Sequence, residues 1–168
     1  PLNKVVLDMV TQHHPKPKHA QAYRVPKIWH ADLESDPGKS LTGCDPKGPF
    51  AFVVTKIVMD KHAGEVAAGR AFSGTVKLGD EVYLNAAKKM VRIQQVSVYK
   101  GAQRIAFEEI PCGNIIGLVG LKGVFAGETV SSVQMEPFEA IKHIFEPVVT
   151  KSVEATTSAD LPKLVEVL

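Results

Sequence analysis

The strongest hydrophobic pattern in the chain is a series of short β-type segments that starts at residue 50. Residues 50–59 are almost wholly apolar and β-branched, which is typical of a central strand. Further strands are predicted over residues 65–76, 81–85, 90–99, 114–121 and 128–133. Because turns separate them every ~8–12 residues, we predict a mainly β fold, an antiparallel β-barrel of roughly six to eight strands over residues 49–134.

Two features of these strands predict local irregularity. Gly69 and Gly74 lie inside the 65–76 segment, where glycine usually marks a bulge or a bend at a barrel corner. In the 90–99 segment the apolar positions change parity across Gln94 and Gln95. Because a strand keeps one face buried only while its alternation stays in phase, this change predicts a β-bulge.

Short helical or irregular extensions are expected on both sides of the barrel. Residues 2–13 carry an apolar stripe at helical spacing, and the prolines at 15 and 17 are expected to end that helix. Prolines and glycines interrupt residues 16–49, which predicts an irregular linker with one short extended piece over 24–29. Near the other end, a strand is expected over 147–155, followed by a helix with Pro162 in its first turn.

Composition and charge exclude only a few classes of function. Hydrophobic residues make up 45% of the chain and charged residues 23%, which is typical of a globular protein. The net charge of +2 neither requires nor excludes a nucleic-acid partner, so RNA binding would need a local basic face. No apolar run of ~18 residues occurs, so no membrane partner is expected. Cys44 and Cys112 form no CxxC pair, which favours two reduced thiols in a cytoplasmic protein.

Short matches to nucleotide-binding motifs are rejected in their context. Gly38-Lys39-Ser40 imitates the end of a phosphate-binding loop, but Leu33 stands where the loop needs its first glycine. Residues 45–48 match the four-residue DxxG pattern of GTPases, but this pattern is too short to identify a nucleotide site. The histidines have no partners at ligand spacing. We therefore expect no catalytic, cofactor-binding or metal-binding residue in this chain.

The segment 64–80 has the sequence Gly-Glu-Val-Ala-Ala-Gly-Arg-Ala-Phe-Ser-Gly-Thr-Val-Lys-Leu-Gly-Asp. It resembles the second-domain signature of translational GTPases, in which Gly-Arg and an apolar residue precede Ser-Gly and a Leu-x-Gly-Asp turn. Residues 49–52 and 56–57 look like the first barrel strand of elongation factor G and elongation factor two. Residues 126–130 are similar to the final turn of that domain, and residues 119–122 resemble the strand before this turn.

The resemblance continues outside the barrel, in family order. Residues 7–17 look like the last helix of the GTPase domain with its closing Pro-x-Pro, and residues 20–25 are close to the connector of the archaeal and eukaryotic factors. Residues 147–149 and 160–166 are similar to the opening strand and helix of their third domain. The order of these motifs makes the chain resemble the archaeal/eukaryotic elongation factor two class.

This resemblance implies a translation-factor-type barrel and a domain plan. The segments would be the last helix of the GTPase domain (1–17), a linker (18–48), the domain II barrel (49–134), and a connector with the start of domain III (135–168). Residue 1 is Pro rather than Met, and the last helical pattern runs to residue 168, so a piece of a longer protein is expected.

The resemblance also implies a function. The complete protein would be a cytoplasmic GTPase that uses GTP and Mg²⁺ to move tRNA and mRNA through the ribosome, while this chain would lack the GTP site. The barrel would dock on small-subunit ribosomal RNA and contact its own GTPase domain and domain III, with no DNA partner. Two alternatives stay open: the barrel of an initiation or tRNA-delivery factor, and a free-standing ligand-binding barrel.

RNA docking needs cationic side chains on a rigid surface, mainly against phosphates. The tightest basic cluster in the sequence is Lys88-Lys89 with Arg92, and Arg70 belongs to the matched signature. These four residues are the predicted ribosomal RNA contacts. Five further cations lie in or beside barrel strands: Lys56, Lys61, Lys77, Lys100 and Arg104.

Overall fold

A computed structural model describes residues 2–60, 63–101, 103–140, 149 and 151–167. Three helices come first: α1 (Leu2–His13), α2 (Pro17–Ile28) and α3 (Asp36–Gly43). Ten strands follow: β1 (Ala51–Asp60), β2 (Gly64–Ser73), β3 (Thr75–Lys77), β4 (Glu81–Leu84), β5 (Lys89–Arg92), β6 (Gln95–Lys100), β7 (Gln103–Phe107), β8 (Glu109–Pro111), β9 (Ile115–Val119) and β10 (Thr129–Ser131). A 3-10 turn (Ser158–Asp160) and α4 (Leu161–Val167) complete the described chain. None of its helices is long and apolar enough to cross a membrane.

Eight of the strands form one antiparallel sheet in the order β5-β4-β10-β1-β2-β9-β6-β7, and β3 pairs with β8 in a second small sheet. Val82 and Leu84 of β4 share a buried cluster with Val96 of β6, although four strands separate β4 from β6. The large sheet therefore curls around one core, and its described strands form an open barrel. The prediction of a mainly β, antiparallel, barrel-like fold is confirmed.

The parity change near Gln94 has a different cause from the predicted one. The chain does not form one bulged strand over 90–99 but two strands, β5 and β6, separated at Ile93 and Gln94. β5 pairs with β4 at one edge of the sheet, whereas β6 pairs with β7 and β9 near the other edge. Buried Ile93 lies where the chain crosses between these edges, so the side-chain phase changes because the pairing partners change.

Gly69 and Gly74 do mark irregular backbone, as the sequence predicts. The register between β1 and β2 shifts between Val54 and Lys56, opposite Gly69, which is a bulge in the first barrel hairpin. At Gly74 the backbone has φ +73, and the strand predicted over 65–76 divides there into β2 and β3. A left-handed residue ends the β2 ladder because it turns the following backbone away from the sheet.

Two strands, β7 and β8, have no counterpart in the predicted series. β7 is one of the two edge strands of the large sheet, and most of its side chains are exposed. The hydrophobic alternation that indicates a strand is weak there, since an edge strand need not bury a full face. The main sheet thus has eight strands, the largest number in the predicted range of six to eight, and the small sheet adds two more.

The prediction of an irregular linker over 16–49 is wrong, because this region contains α2 and α3. Pro17 and Pro37 each lie in the first turn of a helix, where the missing N–H costs no hydrogen bond. Ser35 caps α3 by accepting a hydrogen bond from the N–H of Gly38 (3.2 Å). Residues 24–28, predicted as extended, are helical.

Both helices pack on the outer surface of the barrel. Val25, Trp29 and Leu41 form a second buried cluster with residues of β1 and β2, here called the outer cluster: Val25, Trp29, Leu41, Ala51, Val53, Phe72 and Phe138. Side chains alternate between the faces of β1, so Phe52 and Val54 fill the barrel core while Ala51 and Val53 meet the helices. This double burial explains why residues 50–54 are apolar without alternation.

The predicted elements near the two termini have mixed outcomes. The helix over 2–13 is confirmed as α1, and all of its side chains are exposed. A helix with Pro162 in its first turn is confirmed as α4. No strand forms at residue 149 or over 151–155, whereas residues 147, 148 and 150 lie outside the described part of the chain. The domain boundaries inferred from the resemblance remain a prediction.

Candidate nucleic-acid interface

One exposed basic feature is the loop of the β4–β5 hairpin, residues 85–88. Lys88 is the last loop residue and has φ +51, a left-handed conformation that reverses the chain into β5. Lys89 is the first residue of β5 and pairs with Leu84 of β4. Both lysines are exposed. The hairpin therefore presents two adjacent cations at its end.

The loop is fixed to the barrel by two polar side chains. Asn85 donates through Nδ2 to the carbonyl oxygen of Thr129 (3.0 Å) and to Oγ of Ser131 (3.1 Å). Glu128 is buried, and its Oε1 accepts a hydrogen bond from the N–H of Ala86 (2.8 Å). A carboxylate that accepts a backbone N–H makes a strong hydrogen bond. The backbone that carries the two lysines is therefore fixed before binding, which reduces the conformational entropy lost when a partner binds.

A third lysine lies beside this hairpin. Lys89 Nζ is 3.4 Å from the carbonyl oxygen of Lys122, and the Lys122 side chain is exposed. The three residues Lys88, Lys89 and Lys122 are called the hairpin-tip lysines below. The sequence separates Lys122 from Lys89 by 33 positions, so adjacency alone could not identify it; its only sequence signal is the turn between Gly120 and Gly123.

Arg92 lies at the other end of β5 and does not join the hairpin-tip lysines. It pairs with Glu81 across the strands, and its Nε donates to the carbonyl oxygen of Gly79 (3.0 Å). Three residues along a strand correspond to about 10 Å and to the opposite face from Lys89. The predicted cluster of Lys88, Lys89 and Arg92 is thus divided by strand geometry, and RNA contact by each of the three remains a prediction.

Arg70 is engaged with the helical layer. Its Nη2 lies 3.4 Å from Oε1 of Gln21, and its guanidinium carbon is 5.5 Å from the ring centroid of Phe72. With Arg24 and Glu139 it lines a cavity of about 300 Å³ over the outer cluster. These contacts give Arg70 a role in attaching α2 to β2, and RNA contact through it remains a prediction.

The wider set of predicted cations divides into paired and exposed groups. Lys77 Nζ lies 3.0 Å from a Glu109 carboxylate oxygen, and this hydrogen bond and charge raise the pKa of Lys77 above its usual value. Arg104 contacts Asp60 at 3.3 Å and donates to Gln95. The side chains of Lys56 and Lys100 are exposed. Lys61 lies outside the described residues.

The rejected nucleotide motifs have ordinary structural roles. Gly38, Lys39 and Ser40 lie within α3, and a side chain at Gly38 would meet the backbone of Leu33 at 2.6 Å. The Asp45 carboxylate accepts the N–H of Lys47 at 2.9 Å and so closes a local turn. Within the described part of the chain, no group of three or more His, Cys, Asp or Glu side chains could hold a metal ion.

Comparison with known proteins supports both the barrel and the longer resemblance. A family model described as "Elongation factor Tu domain 2" matches residues 64–131, inside the barrel. The whole chain is 57% identical to elongation factor 2 of Thermococcus kodakarensis and 55% identical to that of Pyrococcus horikoshii. Elongation factor 2 of Pyrococcus furiosus is 53% identical over the same 168 residues. In each case the chain spans 23% of the relative's length.

The alignment with elongation factor 2 covers every residue, so it includes α1 to α3 and the region after the barrel as well as the residues of the domain 2 model. A barrel shared only through general architecture would not extend the match through the helices and both flanks. Along its whole length the chain corresponds to a segment of elongation factor 2, and this segment contains the β-barrel that the domain 2 model describes.

Proposed function

We propose that this chain is the ribosome-docking segment of a translation elongation factor that acts in the cytoplasm. The complete protein would use GTP and Mg²⁺ to drive movement of tRNA and mRNA, while this segment would dock on small-subunit ribosomal RNA and brace the neighbouring domains. The observation that carries the proposal is 57% identity to an elongation factor 2 across all 168 residues. A free-standing ligand-binding barrel would give no reason for this match to include the helices.

Within this proposal, the hairpin-tip lysines are the first candidates for phosphate contacts. They are exposed, Lys89 contacts the backbone of Lys122, and Asn85 and Glu128 hold the β4–β5 loop in place. Exposed lysines on a fixed backbone suit phosphate oxygens, which position a protein on RNA without specifying sequence. Arg92 and Arg70 are secondary candidates, because both already make contacts within the protein.

Reversing the charge of the hairpin-tip lysines should weaken binding to small ribosomal subunits. For the variant Lys88→Glu, Lys89→Glu, Lys122→Glu we expect about a 10- to 100-fold loss of affinity at moderate salt. The slope of log affinity against log salt should fall by about 2–3, because each lost phosphate contact removes ~0.7–0.9. Co-sedimentation of the chain with purified subunits over a salt series measures both quantities.

A matched control makes the same charge change among the α2–α3 residues. Lys27→Glu, Lys39→Glu, Lys47→Glu reverses three exposed lysines in α2, in α3 and just after α3. This control should keep most of the affinity and most of the salt slope. Equal losses in the two triple variants would show that binding depends on net charge alone, and the hairpin-tip assignment would be wrong.

A further inference from the structure

The fold brings together two cysteines that their positions in the sequence give no reason to pair. Cys44 and Cys112 are 68 positions apart, yet their Sγ atoms lie 3.5 Å from each other. Both are free thiols and both are half-buried. A disulfide bond has an S–S distance of about 2.05 Å, so bond formation requires the sulfur atoms to approach by ~1.5 Å.

The two backbone positions are held by separate elements. Cys44 caps the C-terminus of α3 in a left-handed conformation (φ 51, ψ 51), and its N–H donates to the carbonyl oxygen of Leu41. Cys112 directly follows β8, and its N–H donates to the carbonyl oxygen of Gly74 (2.8 Å). These bonds hold the thiols near each other from a helix and from a barrel strand.

The neighbouring glycine leaves room for this contact. Gly113 has φ +85, and a Cβ there would lie 3.3 Å from Sγ of Cys44 and 3.2 Å from Cβ of Pro17. The sulfur pair therefore lies where the start of α2, the end of α3 and the turn after β8 meet. A bond between the sulfur atoms would fasten the helical layer to the barrel.

We infer that Cys44 and Cys112 are a redox-active pair whose oxidation to a disulfide clamps α3 onto the barrel. This inference goes beyond ribosome docking, since it concerns the response of the domain to oxidants. It needs an oxidant, for which the chemical class is a small disulfide such as oxidised glutathione. Both cysteines are only half-buried, so neither residue is closed off from solvent.

The exchange proceeds in two balanced steps. The Cys44 thiolate attacks a sulfur of oxidised glutathione and releases one glutathione thiolate, which takes up a proton. The Cys112 thiolate then attacks Sγ of Cys44 and releases the second glutathione thiolate. In total, two protein thiols lose two electrons and two protons to one oxidised glutathione, which becomes two reduced glutathiones.

The environment of Cys112 sets the order of these steps. Burial, together with the hydrogen bond and charge of Cys44, raises the pKa of Cys112 to about 12. Because only a thiolate attacks, Cys44 is the thiol that reacts first. Once Cys44 carries glutathione, it no longer offers Cys112 the hydrogen bond and charge that help to raise the pKa of Cys112.

Equilibration of the purified chain in glutathione buffers of increasing oxidised fraction tests the pair. Thiols are counted by alkylation of the acid-quenched, denatured protein and by intact mass. We expect a monomer that loses two hydrogens without gaining glutathione, and a Tm higher by on the order of 10 °C, because the bond closes a long loop. Dithiothreitol should reverse both changes.

The single variants Cys44→Ala and Cys112→Ala provide the control. Each retains one thiol, so each should gain one glutathione at most and show no comparable rise in Tm. The inference is overturned if the native chain keeps two titratable thiols, gains two glutathiones, or forms only disulfide-linked dimers. It is also overturned if the internal disulfide forms and Tm does not rise.

Discussion

Replacing Gly69 with alanine is expected to lower the free energy of unfolding by about 3 kcal/mol, a large effect for a single methyl group. A Cβ at Gly69 would lie 1.9 Å from the carbonyl oxygen of Val53 and 2.9 Å from Cζ of Phe52. The nearest obstacle is backbone of the paired strand β1, which cannot rotate away as a flexible side chain can. The alanine would therefore force apart the β1–β2 ladder at its bulge.

Urea unfolding followed by circular dichroism measures this change. Gly43→Ala is the matched control, because no atom lies within 4 Å of a Cβ at that position in α3. The control should change stability by no more than about 1 kcal/mol, since alanine also favours the helix. If Gly69→Ala were as stable as Gly43→Ala, the close approach of β1 and β2 at the bulge would be wrong.

Replacing Gln21 with methionine is expected to release the helical layer from the barrel. Gln21 is 1% exposed, and its Nε2 donates to the carbonyl oxygens of Leu41 (2.5 Å) and Phe72 (2.8 Å). Its Oε1 also lies 3.4 Å from Nη2 of Arg70. Methionine has a similar length but no donor, so two buried carbonyls would lose a partner, at a cost of about 2–4 kcal/mol.

The fluorescence of Trp29 reports this release. It is the single tryptophan of the chain, it is buried in the outer cluster, and its Nε1 donates to the carbonyl oxygen of Glu136 (2.7 Å). In Gln21→Met the urea midpoint of Trp29 fluorescence should fall clearly. Gln12→Met alters an exposed glutamine of α1 and should leave that midpoint unchanged. Equal midpoints in the two variants would contradict the claim that Gln21 holds α2 on the barrel.

The barrel could be predicted from the sequence because local hydrophobic and turn patterns indicate its main strands. The β-branched run at 50–59 and the turn at Gly79 and Asp80 determine structure within a few residues. The helices α2 and α3 are harder to predict from the sequence. A proline such as Pro17 or Pro37 is equally compatible with an irregular segment and with the first turn of a helix. Only contacts with β1 and β2, through Val25 and Leu41, decide between the two.

The candidate site divides in the same way. Lys88 and Lys89 could be predicted because they are adjacent in the sequence, whereas Lys122 joins them only through the folded loop before β10. Arg92 is close to Lys89 in sequence, but the pleat of β5 sends it to the other face. The contact between Cys44 and Cys112 depends on the packing of α3 against the barrel. The spacing of the two cysteines in the sequence does not predict this packing.

The most direct test of ribosomal function is to exchange segments in a complete factor. This chain would replace the corresponding segment of elongation factor 2 from Thermococcus kodakarensis, its 57% identical relative, and GTP-dependent translocation would be measured on ribosomes of that organism. The chimera carrying the native segment should translocate at a rate comparable with the unmodified factor, and the chimera with Lys88→Glu, Lys89→Glu and Lys122→Glu should be markedly slower. A folded native-segment chimera that binds GTP but neither binds ribosomes nor supports translocation would contradict the assignment of this chain as a ribosome-docking segment.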